Sequence, residues 1–166
     1  MARLVLVGLP GVGKTTVAQA LGVAFDCPVR DTDDVFAARE GASVQQVLRE
    51  RGEVVFRALE AECLASLIGE DVIISTGGGI VTTAQSRALL KGESTFWLDA
   101  PDEVLLTRVG AGDRPLLGDA PAERLITLRA EREAFYEEVA TVRIDASGDV
   151  ATTVAAILSH FEGVDS

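Results

Sequence analysis

The residues best suited to chemistry lie near the start of the chain, in Gly8-Leu9-Pro10-Gly11-Val12-Gly13-Lys14-Thr15. This run meets every fixed position of G-x-x-x-x-G-K-[ST], a loop whose backbone N–H groups turn inward around phosphate oxygens. In such a loop Lys14 reaches the β- and γ-phosphates of a nucleotide, and the Thr15 hydroxyl is a ligand for Mg²⁺. Gly11, Val12, Gly13 and Thr16 complete the expected phosphate cradle, where a helix N-terminus adds its positive end. A second group follows in Asp31-Thr32-Asp33-Asp34. Residues two apart in an extended chain share a side, so Asp31 and Asp33 are expected to face one cleft. One carboxylate suits the Mg²⁺ shell beside Thr15. The other suits holding an attacking hydroxyl in line, or accepting its proton. Asp34 is assigned to helix capping.

Four further positions are candidates. Gly77-Gly78-Gly79 offers no side chains, so its use is close backbone approach to a ligand. Arg57 has Glu53 and Glu60 as its i−4 and i+3 neighbours, which can hold a guanidinium in place, although such pairs are ordinarily surface decoration. Arg114 stands in a glycine-rich stretch, where a closing loop would bring it over phosphates. Arg132, inside Glu131-Arg132-Glu133, reads on its own as part of a solvated helix face. Asp99 ends the apolar run Phe96-Trp97-Leu98 as a metal carboxylate would, but the acidic helix start after it favours capping.

The elements that must position these residues alternate along the chain. Leu4-Val5-Leu6-Val7 is short, apolar and branched, as a buried strand should be. Helical spacing follows over 16–24. Further strands are expected at 28–30, 72–74, 95–98 and 142–144. Further helices are expected over 34–51 with a break at Gly41, and over 53–67, 83–90, 101–109, 121–138 and 150–161. Pro101 suits a first helical position. The glycines and proline of 110–119 mark a long loop. Alternation of this kind predicts an α/β fold with a mostly parallel sheet and ligands at the carboxyl ends of its strands.

Composition narrows the function classes. With 166 residues, 48% hydrophobic and 25% charged, the chain fits one globular domain spanning 1–166. No apolar run approaches the roughly 20 residues of a membrane span, and no signal peptide is read at the N-terminus. Cys27 and Cys63 are isolated thiols, for which a reduced, cytoplasmic setting is the expectation. A net charge of −11 argues against non-specific binding to nucleic acid or to a membrane surface. Anionic ligands must then be held by local positive charge. Only Lys14 and Lys91 among the 15 basic residues are lysines, so this work falls to arginines, which suit carboxylate and phosphate geometry. The chain contains no asparagine, which removes the N-K-x-D motif of a GTP-binding switch.

Taken in order, the phosphate loop, Asp31-Thr32-Asp33, Gly52-Glu53-x-x-Phe56-Arg57-x-x-Glu60, the triple glycine, Arg114-Pro115-Leu116-Leu117 and Arg132-x-x-x-Tyr136 resemble the shikimate kinase family over nearly the whole chain. The resemblance implies a P-loop kinase fold: a five-stranded parallel sheet with helices on both faces, a substrate-binding helical region at about 33–61 and a lid at about 110–120. It also implies transfer of the ATP γ-phosphate to the 3-hydroxyl of shikimate, on the route to chorismate and the aromatic amino acids. By the same resemblance Thr15 and Asp31 serve Mg²⁺, and Lys14, Asp33 and Arg114 are catalytic. Arg57, Arg132 and the backbone of Gly77, Gly78 and Gly79 hold the acid, Asp33 holds its hydroxyls, and Phe56 and Leu48 pack beside its ring. Ala134 stands where the family often has proline, and 145–149 lacks the basic residue or proline many relatives carry, so no adenine contacts are assigned. The expected partners are ATP and shikimate, and a monomer is expected. The nearest rival is another small-metabolite or nucleotide kinase of the same fold, of the gluconate or adenylate kinase kind.

Overall fold

The computed structural model describes residues 3–110 and 119–162. Five parallel strands form one sheet: β1 (Leu4–Val7), β2 (Val29–Asp31), β3 (Ile73–Ser75), β4 (Thr95–Asp99) and β5 (Val142–Asp145), in the order β2-β3-β1-β4-β5. β1 is fully buried, as its uninterrupted apolar sequence requires of a central parallel strand. Val5 pairs with Ile74 on one side and Thr95 on the other. The connection leaving β1 runs toward β2, whereas the one leaving β3 crosses to β4. A crevice therefore opens above the carboxyl end of β1, where the phosphate loop begins.

The helices are α1 (Lys14–Phe25), α2 (Thr32–Glu40), α3 (Val44–Arg51), α4 (Glu53–Ile68), α5 (Ala84–Lys91), α6 (Asp102–Gly110), α7 (Pro121–Val139) and α8 (Val150–Glu162). α1 packs with α8; α4 packs with α5, and α5 with α7. The main core lies between these layers and the sheet, with Leu6, Leu21, Ile74, Trp97 and Leu98 almost wholly enclosed. α2, α3 and α4 build a second, smaller core from Phe36, Val47, Phe56 and Cys63, with Phe36 and Phe56 edge to face at 5.2 Å between centroids. This satellite core carries one wall of the cleft. Both cysteines are buried and unpaired. Among the described residues, no helix is long and apolar enough to cross a membrane.

Local chemistry explains most boundaries. Ser43 caps α3 by accepting from the Gln46 N–H at 3.1 Å, and Thr83 caps α5 by accepting from Ser86 at 3.4 Å. Two expectations need correction, and one element is added. α6 begins at Asp102, after Pro101, whose carbonyl accepts from Val104 and Leu105; proline serves as the flanking residue here. Asp99 does not cap that helix. Its carboxylate is taken by Arg129 at 3.0 Å and by Arg143, ionic partners distant in sequence that outcompete a local cap. A short 3₁₀ turn at Ile80–Thr82 was not anticipated; it places Gly77 to Gly79 between β3 and α5.

Candidate active site

The phosphate loop runs from the end of β1 into α1. Gly11 and Gly13 adopt φ of 87° and 99°, a region that side chains disfavour, which is why glycine stands at both. Gly13 flanks the first turn of α1 and has no side chain to cap it, so the leading N–H groups are left for an anion. Val12 turns its side chain into the core and its N–H to the Leu9 carbonyl at 3.3 Å. Lys14 is buried, and its ammonium donates to the Gly8 and Leu9 carbonyls at 2.6 and 3.1 Å, which holds the cation over the concave side of its own loop.

Asp31 and Asp33 arrive beside this loop by a different route from the extended pairing expected. β2 ends at Asp31 and α2 starts at Thr32, so Asp33 lies in a first helical turn. Asp31 is itself the cap of α2, its Oδ1 accepting from the N–H of Asp33 at 2.9 Å and of Asp34 at 3.4 Å. Asp34 is thus capped and does not cap. The other oxygen of Asp31 accepts from the Thr15 hydroxyl at 3.3 Å. One hydroxyl and one carboxylate fit a Mg²⁺ that keeps most of its waters and binds through a nucleotide. No group of three or more acidic, histidine or cysteine side chains able to hold a metal by itself occurs among the described residues. The pKa of Asp33 is raised, first because surrounding protein withholds water and next because Asp31 is near, with Lys14 opposing. As a residue Asp33 is exposed, so the cleft walls partly desolvate its carboxylate without enclosing it.

Across the cleft, a cavity of about 310 Å³ is lined by Asp33, Leu48, Phe56, Arg57, the three glycines, Arg124 and Arg132, among others. The triple glycine is required by what packs on it. A Cβ on Gly79 would stand 2.3 Å from Arg57 Nη2, one on Gly78 would stand 3.2 Å from Arg132 Nη1, and one on Gly77 would stand 3.0 Å from Asp33 Oδ1. Each glycine therefore seats one of the proposed functional side chains. The Gly77 N–H is fixed in turn by the buried Thr32 hydroxyl at 3.0 Å. Arg57 donates to Glu60 at 2.9 Å, lies over the Phe56 ring at 4.8 Å, and has Glu53 at 3.6 Å. Glu60 is 3% exposed; burial raises its pKa and Arg57 opposes that rise. Arg132 is buried, which corrects the solvated-face reading of its acidic sequence neighbours. The Nε atoms of Arg57 and Arg132 are buried without a hydrogen-bond partner among the described residues. Two guanidinium groups with donors to spare, in one cavity with apolar walls, suit a small ring bearing a carboxylate.

A second hollow, about 480 Å³, is lined by Gly11, Val12, Gly13, Thr16, Arg108 and the segment after β5. Arg108 donates to the carbonyls of Val12 at 3.0 Å, Ala146 at 2.7 Å and Gly148 at 2.9 Å, tying the phosphate loop to that segment. Sequence reasoning missed it, because an arginine in the last turn of a helix already has a sufficient role in complementing the helix dipole. Tyr136 donates to the Gly78 carbonyl at 2.5 Å; burial pushes its pKa up to about 12, so the donor proton stays in place. Of the lid expected at about 110–120, residues 111–118, Arg114 among them, lie outside the described residues.

Comparison with known proteins gives the family. The family model for shikimate kinase matches residues 10–162. A shikimate kinase of Corynebacterium glutamicum is 39% identical over 162 residues, covering 96% of this chain and 96% of its own length. A bifunctional shikimate kinase/3-dehydroquinate synthase of Thermotoga maritima is 38% identical over 96% of the chain, which spans 32% of that larger protein. The solved shikimate kinase of Acinetobacter baumannii in complex with shikimate superposes with a TM-score of 0.84 at 32% identity, covering 95% of this chain and 93% of that one. With the phosphate loop, the paired aspartates and the arginine-lined cavity in one cleft, the chain belongs to the shikimate kinase family, on a P-loop kinase fold.

Proposed function

We propose that this protein transfers the γ-phosphoryl group of ATP to the 3-hydroxyl of shikimate, giving shikimate 3-phosphate and ADP. The observation that carries the reading is the convergence of Arg57 and Arg132 on Gly78 and Gly79 in a cavity that also holds Asp33. An acid bound there has its carboxylate gripped by the two guanidinium groups and its hydroxyls turned toward Asp33. Leu48 and Phe56 provide the apolar wall for the ring. The nucleotide phosphates lie in the loop from Gly11 to Thr16, with the base in the hollow beside Arg108.

Asp33 holds the attacking hydroxyl in line and takes its proton as the new P–O bond forms. The bond from the γ-phosphorus to the bridging oxygen breaks, and ADP leaves with that oxygen. Lys14 and the N-terminus of α1 stabilise the charge on the phosphates, and Arg114 adds to it from the lid. Thr15 and Asp31 would hold Mg²⁺, which supplies neutralisation of phosphate charge when bound. The raised pKa of Asp33 makes it a better proton acceptor than an ordinary carboxylate. We place the enzyme in the cytoplasm, a reading supported by two buried, unpaired cysteines, and take it to act as a monomer.

The rival reading takes a sugar acid or a nucleotide as acceptor. ADP release measured with shikimate, gluconate, AMP and CMP separates the two. The proposal expects turnover with shikimate alone; acceptor-independent turnover, or turnover with AMP, would overturn it.

A further inference from the structure

Arg129, Arg132 and Tyr136 follow one another on α7 at spacings of three and four, which places them along one stripe of the helix. The outer two are fastened. Tyr136 donates to the Gly78 carbonyl and stacks on Trp97 at 5.8 Å between centroids. Arg129 puts a hydrogen bond from each guanidinium nitrogen on the junction of β4 and α6, and Nη1 also has Glu133 of its own helix at 3.8 Å. Nε donates to Asp102 Oδ1 at 2.7 Å, Nη1 to Asp99 Oδ1 at 3.0 Å, and Nη2 to the Ala100 carbonyl at 2.7 Å. Asp99 is fixed in turn by Arg143, whose guanidinium lies over Trp97 at 4.3 Å. Arg129, Asp99 and Arg143 line a hollow apart from the acid cavity and from the nucleotide hollow. Arg132, between the two fastened residues, has a buried Nε with no partner among the described residues. Its Nη1 lies against Gly78, the residue whose carbonyl Tyr136 holds, so its aim depends on how α7 is seated over the triple glycine.

We infer that Arg129 is a positioning residue for the reaction. Its three-point attachment to Asp102, Asp99 and Ala100 fixes the turn of α7 that presents Arg132 to the acid. This rests on the reading of Arg132 as a carboxylate ligand. The fork of a guanidinium suits the task, because each of its three nitrogens has an acceptor of its own; a lysine ammonium is a compact point charge without that fork. Displacing a binding group by about 1 Å costs up to about a hundredfold in rate, so a loosened helix has a measurable effect.

The test compares shikimate and ATP kinetics in single and double variants, with thermal unfolding as a folding control. Arg129→Met should raise the shikimate KM about tenfold and leave the ATP KM within about twofold, with Arg129→Lys between the two. In an Arg132→Met background, Arg129→Met should add less than about twofold, because both changes act through one contact. Asp102→Asn keeps its volume at a side chain 32% exposed and carries the same test if Arg129→Met fails to fold; it should raise the shikimate KM about threefold. Equal rises in both KM values, or effects that multiply in the double variant, would overturn the inference. A raised shikimate KM in Arg132→Met with none in the Arg129 and Asp102 variants would overturn this inference alone. An unchanged KM in Arg132→Met would overturn the functional reading and this inference together.

Discussion

Replacing Gly79 by alanine tests the acid cavity with one added methyl group. The backbone there, at φ −92° and ψ 8°, is open to alanine, so the change acts through space. The new Cβ would stand 2.3 Å from Arg57 Nη2, 2.6 Å from Nη1 and 2.7 Å from Cζ. Non-bonded atoms rest at about 3.5–4.0 Å, so the guanidinium must retreat by more than about 1 Å. Arg57 is the far end of a flexible side chain, and the fold can absorb that movement. Its hydrogen bond with Glu60, now 2.9 Å, and its grip on a carboxylate cannot both survive it. A hydrogen bond to a charged group is worth about 1.5–3 kcal/mol, which corresponds to a rise of about 10- to 150-fold in the KM for shikimate. The ATP KM should change by less than about twofold, because the nucleotide hollow is lined by other residues. Steady-state ADP release gives both constants, and differential scanning fluorimetry checks that the variant is folded. Gly69→Ala is the control: its added Cβ meets nothing nearer than the Ser66 carbonyl at 4.0 Å, so both KM values should hold. A folded Gly79→Ala enzyme with an unchanged shikimate KM would refute the placement of the acid against Arg57.

Three further outcomes follow from the same geometry. Asp33→Asn should lower transfer by about 10²–10⁴-fold while nucleotide binding, read by fluorescence titration, is retained. The same variant should be more stable than the parent at neutral pH. Asp33 has a folded pKa above its ordinary 3.8, so its protonated form is the one the fold favours. That contribution is present below the unfolded value and is lost as pH rises through the folded one. Removing the ionisable group removes this loss, and Tm at pH 7 should increase; a decrease would contradict the burial argument. Arg108→Ala should raise the ATP KM about tenfold with the shikimate KM unaffected, since it loses donors to the Val12, Ala146 and Gly148 carbonyls that shape the nucleotide hollow. The opposite ranking of the two constants would remove Arg108 from the nucleotide side.

What the sequence discloses depends on how local each interaction is. The phosphate loop is legible because its glycine spacing, its preceding strand and its following helix are contiguous. β1 falls at Leu4–Val7 as the apolar run predicts. Arg57 is legible as a held cation because both of its carboxylates lie on the same helix within one turn. Arg132 is not, since its flanking glutamates describe the outer side of α7 while its own side chain turns inward. Its proposed role comes from the resemblance to a family and not from its sequence neighbours. Asp99 misleads for a similar reason: its partners Arg129 and Arg143 are 30 and 44 residues away, and nothing nearby announces them. The triple glycine is read from sequence as backbone that approaches a ligand. The structure shows protein side chains approaching it, each seated on a residue without a Cβ. The capping role falls to Asp31 and not to Asp34 as expected, because its carboxylate divides between two contacts, one oxygen on the α2 N–H groups and the other on Thr15.

The central claim is spatial, and a crystal structure with ADP and shikimate bound tests it most directly. It should place the shikimate carboxylate within hydrogen-bond distance of both Arg57 and Arg132, with the 3-hydroxyl on Asp33 and facing the phosphate loop. A ring bound in the reverse sense, with its carboxylate toward Lys14 and its hydroxyls against the two arginines, would contradict it.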